Sequence, residues 1–485
     1  MHNNNYSYWN EQSVLQQAFL AIRYVILFSI CVLAGCTKQV YESASLDLVE
    51  IQQQQSGLSP DSIEFRQFLK LHLPDSEFPI KNWQLPSLTL AALYFNPSIE
   101  LAQSELAIID AELVIAGQKP NPTINLPLEY RTEPGGSPWL FGLVGDFIFE
   151  RSSKRQAKID IVYAQRLAKE IALLQLGWSI YHAIHQNLID YYTQIEIAKN
   201  LERQKILLTE ILGLLEQRLE YGQASEFELS RIRLELQRIE LALSNQQFKT
   251  NDSLHSLFSH TGLLIKNIKS SEFEFKQLES HLVSYNDRLD SLNQKMLSNR
   301  FDFRTKLTEY QVFENELKLE IEKQYPDINL SPGFIYEQGD SIWQLGAAWV
   351  LPMFHNNDGQ IERALAKREK KQLEILQLQN ELLQQLERRK QNYKDKLTAY
   401  EKSSVILETQ KQRSIEIEKQ YELGYQDRLS LIRARLETEK TKEAVFEISV
   451  AVMQSAAALE DVLQRPLDSD INLEQWIKSL KKNKQ

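Results

Sequence analysis

Lys119-Pro-Asn-Pro-Thr-Ile-Asn-Leu126 and Lys323-Gln-Tyr-Pro-Asp-Ile-Asn-Leu330 carry one pattern twice, 204 residues apart. At that offset Trp139 falls on Trp343. Farther along, Leu219-Glu-Tyr-Gly222 matches Tyr421-Glu-Leu-Gly424. Beyond it Leu229, Arg231, Arg233, Leu234 and Glu235 fall on Leu431, Arg433, Arg435, Leu436 and Glu437, at an offset of 202. Two stretches, about 88–262 and 292–466, therefore share one plan. A period of this size is a duplication of a domain-scale unit, not a solenoid repeat.

Working outward, each half reads as helix, strand, strand, long helix, tight turn, helix. Asn96-Pro97 predicts a helix over about 97–118, with Asn as N-cap and Pro at the first helical position. Strands are expected at about 122–131 and 139–149, and again at about 326–336 and 342–354. Their side chains alternate: Ile124, Leu126, Leu128 and Tyr130 share one face, as do Trp139, Phe141, Leu143, Phe147 and Phe149. In the second half Ile328, Leu330, Phe334 and Tyr336 alternate likewise, then Trp343, Leu345, Ala347, Trp349 and Leu351. Strands of about ten residues with an apolar face and terminal aromatics suit a transmembrane barrel. A water-soluble antiparallel sheet packed on helices gives the same alternation. The membrane reading demands several copies, because an open sheet edge is forbidden in lipid.

The stretches 151–218 and 360–421 predict helices that reach roughly 90–100 Å. Leu167, Ile171, Leu174, Trp178, Tyr181, Ile184 and Leu188 recur at coiled-coil spacing, as do Leu373, Leu376, Leu383, Leu386, Tyr393, Leu397 and Tyr400. Gly222 ends the first long helix as a left-handed residue. Ser225 then caps the returning helix, with Glu228 completing a Ser-x-x-Glu capping box. In the second half Gly424 stops the helix and Asp427 is the N-cap.

Composition agrees. The 485 residues include only 16 Gly and 14 Pro, each well below the roughly 7% and 5% of average chains. Ten of the prolines lie at or before Pro138, leaving 139–325 and 353–465 free of helix breakers. Two Cys exclude a disulfide scaffold and a Cys-rich metal site. The net charge of −10 argues against a nucleic-acid binder.

Residues 24–35, YVILFSICVLAG, form an apolar run too short for a membrane anchor and right for a signal-peptide core. It ends in Leu33-Ala34-Gly35-Cys36, which resembles a bacterial lipobox: residues 1–35 are then removed and Cys36 takes a diacylglycerol. An ordinary signal peptide with an accidental Cys is the plainer alternative. Arg23 is nearly alone in the positive region and Glu11 opposes it, which points to a start of translation downstream of Met1. Cys31 would leave with the signal. No later segment is apolar enough for a membrane helix.

Taken together, Asn96-Pro97, the Pro-x-Ile-Asn-Leu strand starts, Val350-Leu-Pro-Met-Phe354 with Asp358-Gly-Gln, Arg218-Leu-Glu-Tyr-Gly222-Gln-Ala-Ser225 and Tyr421-Glu-Leu-Gly424 resemble the TolC-like outer-membrane efflux protein family. The resemblance covers about 88–466. It implies a mainly α fold: two tandem repeats of long coiled-coil hairpins plus four strands per chain, forming a 12-stranded transmembrane β-barrel and helical tunnel as a homotrimer. It implies an exit duct for tripartite efflux or type I secretion, docking a periplasmic adaptor and an inner-membrane pump, with no cofactor. By the same resemblance Thr37 favours sorting to the outer membrane, and Gly222, Ser225, Gly424 and Asp427 lie where an adaptor engages. The family's gate positions match Glu228, Tyr421, Gln426, Ser430 and Arg433. Its basic position is Gln426 here, and its acidic ring positions are Ser430 and Arg433, which puts a cation-trapping ring in doubt. Glu228 could pair across subunits with Arg433 in place of the family's latch.

The chain has no GxxxxGK[ST] loop, GxGxxG or HExxH, and no Ser/His/Asp arrangement can be assigned. His182 and His185 suit half a metal site or, preferably, a helix seam. Outside the duplication, 36–87 reads as an extended, lipid-anchored strap, 263–291 as a polar linker, and 467–485 as a basic, mobile tail. The rival to a duct is a periplasmic coiled-coil adaptor or structural lipoprotein; two hairpins, each with its own strand pair, favour the duct.

Overall fold

A computed structural model describes residues 41–132, 137–268, 272–280, 282, 296–467 and 471–483. The signal segment, Cys36 and the centre of the 132–138 loop lie outside the described residues. The chain divides into two compact units, 1–57 and 58–485. In the first, the described residues hold one exposed helix, α1 (Leu48–Gly57).

The second unit opens with α2 (Ile63–His72), β1 (Asn82–Trp83) and α3 (Leu85–Phe95). Then comes the first repeat: α4 (Pro97–Gly117), β2 (Thr123–Asn125), β3 (Leu128–Tyr130), β4 (Trp139–Phe149), α5 (Ser152–Glu220) and α6 (Glu226–Ser259). After the short β5 (Glu272–Phe273) the plan recurs as α7 (Phe301–Glu322), β6 (Ile328–Glu337), β7 (Asp340–Trp349), α8 (Asp358–Glu422) and α9 (Arg428–Leu463), closed by α10 (Leu473–Asn483). Helices α5 and α8 run 69 and 65 residues without a proline. Asn96 starts α4 as expected, its side chain accepting from the Ser98 amide at 2.9 Å.

The sheet is antiparallel in the order β2/β3, β4, β6, β7. Two expected strands are shorter than the alternation suggested. The run 122–131 breaks into β2 and β3 around Pro127, which has no N–H for a ladder. The last strand stops at Trp349, and Pro352 follows within an irregular segment. A two-residue turn at Gln338 and Gly339, both with positive φ, joins β6 to β7.

Packing corrects three other expectations. The supposed strap is largely helical: Phe65, Phe68 and Leu69 of α2 are fully buried with Leu88 and Leu90 of α3 and with Ile184 and Leu188 of α5. The supposed tail is not free either. Trp476, Ile477 and Leu480 of α10 enter the same core, and His72 meets Ser479 at 2.7 Å. The linker also contributes, as β5 pairs in parallel with β1 and Leu278 is buried. At about 1.5–3 kcal/mol per fully buried large apolar side chain, these terminal segments are integral to the core.

Candidate functional site

Two parts of the molecule carry chemistry: the sheet and the pair of hairpin ends. The ladder register settles which strand residues share a face. Phe141 lies opposite Tyr336, Leu143 opposite Phe334, Phe147 opposite Leu330 and Phe149 opposite Ile328. Trp349, Ala347, Leu345 and Trp343 extend the same face across β7, and Leu128 and Tyr130 across β3. This face is apolar and uncovered: Trp343 is 83% exposed and Leu345 75%. The opposite face holds Asn125, Asp146, Ser331 and Gln344. Asp146 accepts from Asn125 at 2.6 Å and from Ser331 at 2.5 Å. A water-soluble sheet would bury its apolar face under helices. Among the described residues no helix packs substantially on this sheet.

The hairpin ends repeat each other. Gly222 has φ +65° and Gly424 φ +81°. The Gln223 amide reaches the Arg218 carbonyl at 2.8 Å while the Gly222 amide reaches that of Leu219 at 2.9 Å. Tyr425 to Gln420 and Gly424 to Tyr421 repeat the pattern at 2.8 and 3.0 Å. Each long helix thus ends in a Schellman motif, which needs a left-handed residue and so favours glycine. Ser225 caps α6 through the Glu228 amide at 3.1 Å, and Asp427 caps α9 through the Ser430 amide at 2.8 Å.

The Glu228 carboxylate is drawn away from a reciprocal capping bond. It takes a hydrogen bond from Arg433 at 2.5 Å, within one protomer. Two further pairs join the hairpins here, Arg218–Asp427 at 2.6 Å and Arg428–Glu210 at 2.5 Å. The sequence gives no pairing role to Arg218, Glu210 or Arg428; a basic residue in the last turn of one hairpin and an acidic cap on the other are the available signal. Gln426 folds back on Gln420 of its own tip, at 3.4 Å between side chains, and Tyr421 stays on the last turn of α8. Beneath the ion pairs Leu208, Ile211, Leu215, Leu229, Ile232, Leu429, Ile432 and Leu436 form an apolar cluster. Exposed ion pairs contribute about 0–1 kcal/mol each, against about 1.5–3 for each buried leucine or isoleucine. The cluster supplies adhesion and the ion pairs set register.

The Ser430 hydrogen bonds and the Arg218 guanidinium hold the Asp427 carboxyl down to about 2, from 3.8. A depressed carboxyl stabilises above its unfolded value and loses that contribution as pH falls through its folded value. The α9 cap is therefore expected to persist at pH 4 and fail near pH 2. A carboxyl carbon NMR titration of Asp427 checks this; a midpoint at or above 3.8 rejects it.

His182 and His185 face inward on α5. His185 Nδ1 lies 3.0 Å from Glu460 of α9, and both are fully buried. The other Glu460 oxygen accepts the Leu467 amide at 2.7 Å. Burial lowers the His182 pKa. Among the described residues no group of three His, Cys, Asp or Glu could hold a metal ion. The buried contact packs α9 against α5.

No protein-family profile and no curated protein sequence matches the chain. Solved structures do. The Campylobacter jejuni CmeC outer membrane channel superposes with TM-score 0.63, covering 92% of this chain and 98% of that one, at 14% identity. For VceC, an outer membrane protein of Vibrio cholerae, the TM-score is 0.63, with 84% and 100% covered at 16% identity. The outer-membrane channel OprN gives 0.61 over 89% and 98%, at 14% identity. The duplicated hairpins, the strand pairs between them and the helical termini packed at mid-length thus have one common description: the chain has the fold of the TolC-like outer-membrane channels.

Proposed function

We propose that the protein is an outer-membrane exit duct of a tripartite efflux or type I secretion system, passively conducting cargo across the periplasm and outer membrane. The observation that carries this reading is the uncovered apolar face of an open sheet. Lipid can cover that face, and the open edges then require other copies. Anchoring through a lipid on Cys36 belongs to the same proposal.

The helices argue for self-association. Successive neighbours run α4, α5, α7, α8 toward the sheet and α6, α5, α9, α8 toward the tips. The outer helices carry exposed apolar heptads: Leu101, Ile108 and Ile115 on α4, and Phe227, Leu234, Leu241 and Phe248 on α6. The other edge, α8, exposes Leu373, Leu376, Leu383, Val405, Ile406 and Ile415. One edge therefore fits the other on a second copy, as in a coiled coil. A homotrimer closes such a ring with 12 strands, by analogy with the fold.

Tyr221, Phe227, Leu423 and Tyr425 are exposed around Gly222, Ser225, Gly424 and Asp427. These tips are the proposed seat of a periplasmic adaptor, itself bound to an inner-membrane pump. The gate is the hairpin junction, with Arg433–Glu228 as its latch inside each protomer and Tyr421, Gln426 and Ser430 beside it. Glu228→Lys should raise single-channel conductance in planar bilayers severalfold, and Glu228→Arg combined with Arg433→Glu should restore the resting value. Unchanged conductance with assembly intact would remove Glu228 from the gate.

A further inference from the structure

The two repeats differ at the junction that leads from the second strand into the long helix. From β4 to α5 the chain needs two residues, Glu150 and Arg151; from β7 to α8 it takes eight, 350–357. Both strands end at the same side of the sheet, since Phe149 and Trp349 both lie opposite Ile328. Two residues thus suffice for this turn, and the other six are not demanded by chain geometry.

The extra segment is apolar and turned outward. Val350, Leu351, Met353 and Phe354 are all exposed, Phe354 at 98%. A local turn shapes the segment, and side-chain bonds hold its carboxyl-terminal end. The Met353 amide reaches the Leu351 carbonyl at 2.9 Å. Asn357, with φ +64°, donates to the Glu320 carbonyl and carboxylate at 2.8 and 2.9 Å. Gln324 donates to the Asn356 carbonyl at 3.0 Å. Behind it lies a hollow of about 530 Å³ reached by Lys154, Lys323 and Asp327. The segment continues the apolar sheet face through Trp349.

We propose that residues 350–354 are a second membrane-contacting element, a wedge seated among the phospholipids of the leaflet facing the periplasm, with Lys323 at headgroup depth. This rests on the membrane reading of the sheet. A segment that leaves the lipid-facing side of a strand, at the end where the helices begin, meets the boundary between acyl chains and headgroups.

The test is spin-label accessibility in the full-length protein reconstituted into phosphatidylethanolamine–phosphatidylglycerol vesicles. Labels are placed by Phe354→Cys, Leu345→Cys and Gln344→Cys, with the unsubstituted protein as background for Cys36. At Leu345 oxygen should reach the label severalfold better than a water-soluble nickel chelate. At Phe354 oxygen should still be favoured, at a shallower depth, and at Gln344 the chelate should win. If Leu345 favours the chelate, the membrane reading fails and the wedge with it. If Leu345 behaves as lipid-exposed but Phe354 favours the chelate, or is shielded from both by a neighbouring copy, the wedge alone is overturned.

Discussion

Leu345→Arg is expected to abolish membrane insertion, while Gln344→Arg, one residue away, leaves it intact. The two side chains sit on opposite faces of β7: Leu345 pairs with Pro332 on the face that carries Leu143 and Phe334, and Gln344 pairs with Gly333 on the other. An arginine on the lipid face near the middle of a barrel strand costs about 2–4 kcal/mol. A symmetric assembly repeats that cost in every subunit, so a trimer loses about 6–12 kcal/mol, comparable to the whole stability of a typical domain. On the other face arginine joins Asn125, Asp146 and Ser331 and stays hydrated. The measurement is the share of protein in outer-membrane fractions that resists extraction with alkaline carbonate. Equal behaviour of the two variants would sink the lipid-facing assignment.

Leu241→Glu should have the second largest effect, converting assembled protein to monomers. Leu241 is the third member of the exposed heptad on α6 and makes none of the protomer's own core. Folding of the single chain should therefore be unaffected, and only association lost. Burying the leucine contributes about 1.5–3 kcal/mol per interface, and a carboxylate in its place adds a desolvation penalty. Mass measurement by light scattering in detergent reads the outcome, with circular dichroism to confirm that helix content is retained. An unchanged assembly would place the interface elsewhere.

Much of this architecture was legible because its signals are local. Asn96-Pro97, Gly222, Ser225, Gly424 and Asp427 act within one turn of chain, and each does what its chemistry predicts. Strand alternation also reads directly, although lipid and core cannot be told apart without knowing what covers the face. Two segments were misread because composition masked period. In 63–72 the proline cluster that follows drew attention from Phe65, Phe68 and Leu69 on one helical face. In 473–483 the lysines hid Trp476, Ile477 and Leu480. The tip ion pairs were out of reach for another reason. Arg433–Glu228 and Arg218–Asp427 span 205 and 209 residues. They arise because the two hairpins lie side by side in the same sense, so nearly equivalent positions of the repeats meet.

Pro127 bears on a different stage of the protein's life. A free strand edge is a template for any extended chain. On one side of this sheet the edge is two pieces of three residues interrupted by a proline, and on the other ten unbroken residues, Asp340–Trp349. A lone subunit in transit therefore has one edge that discourages stray partners and one that invites them. On the proposed assembly, that single long strand is the edge that must stay protected until the correct neighbour pairs with it.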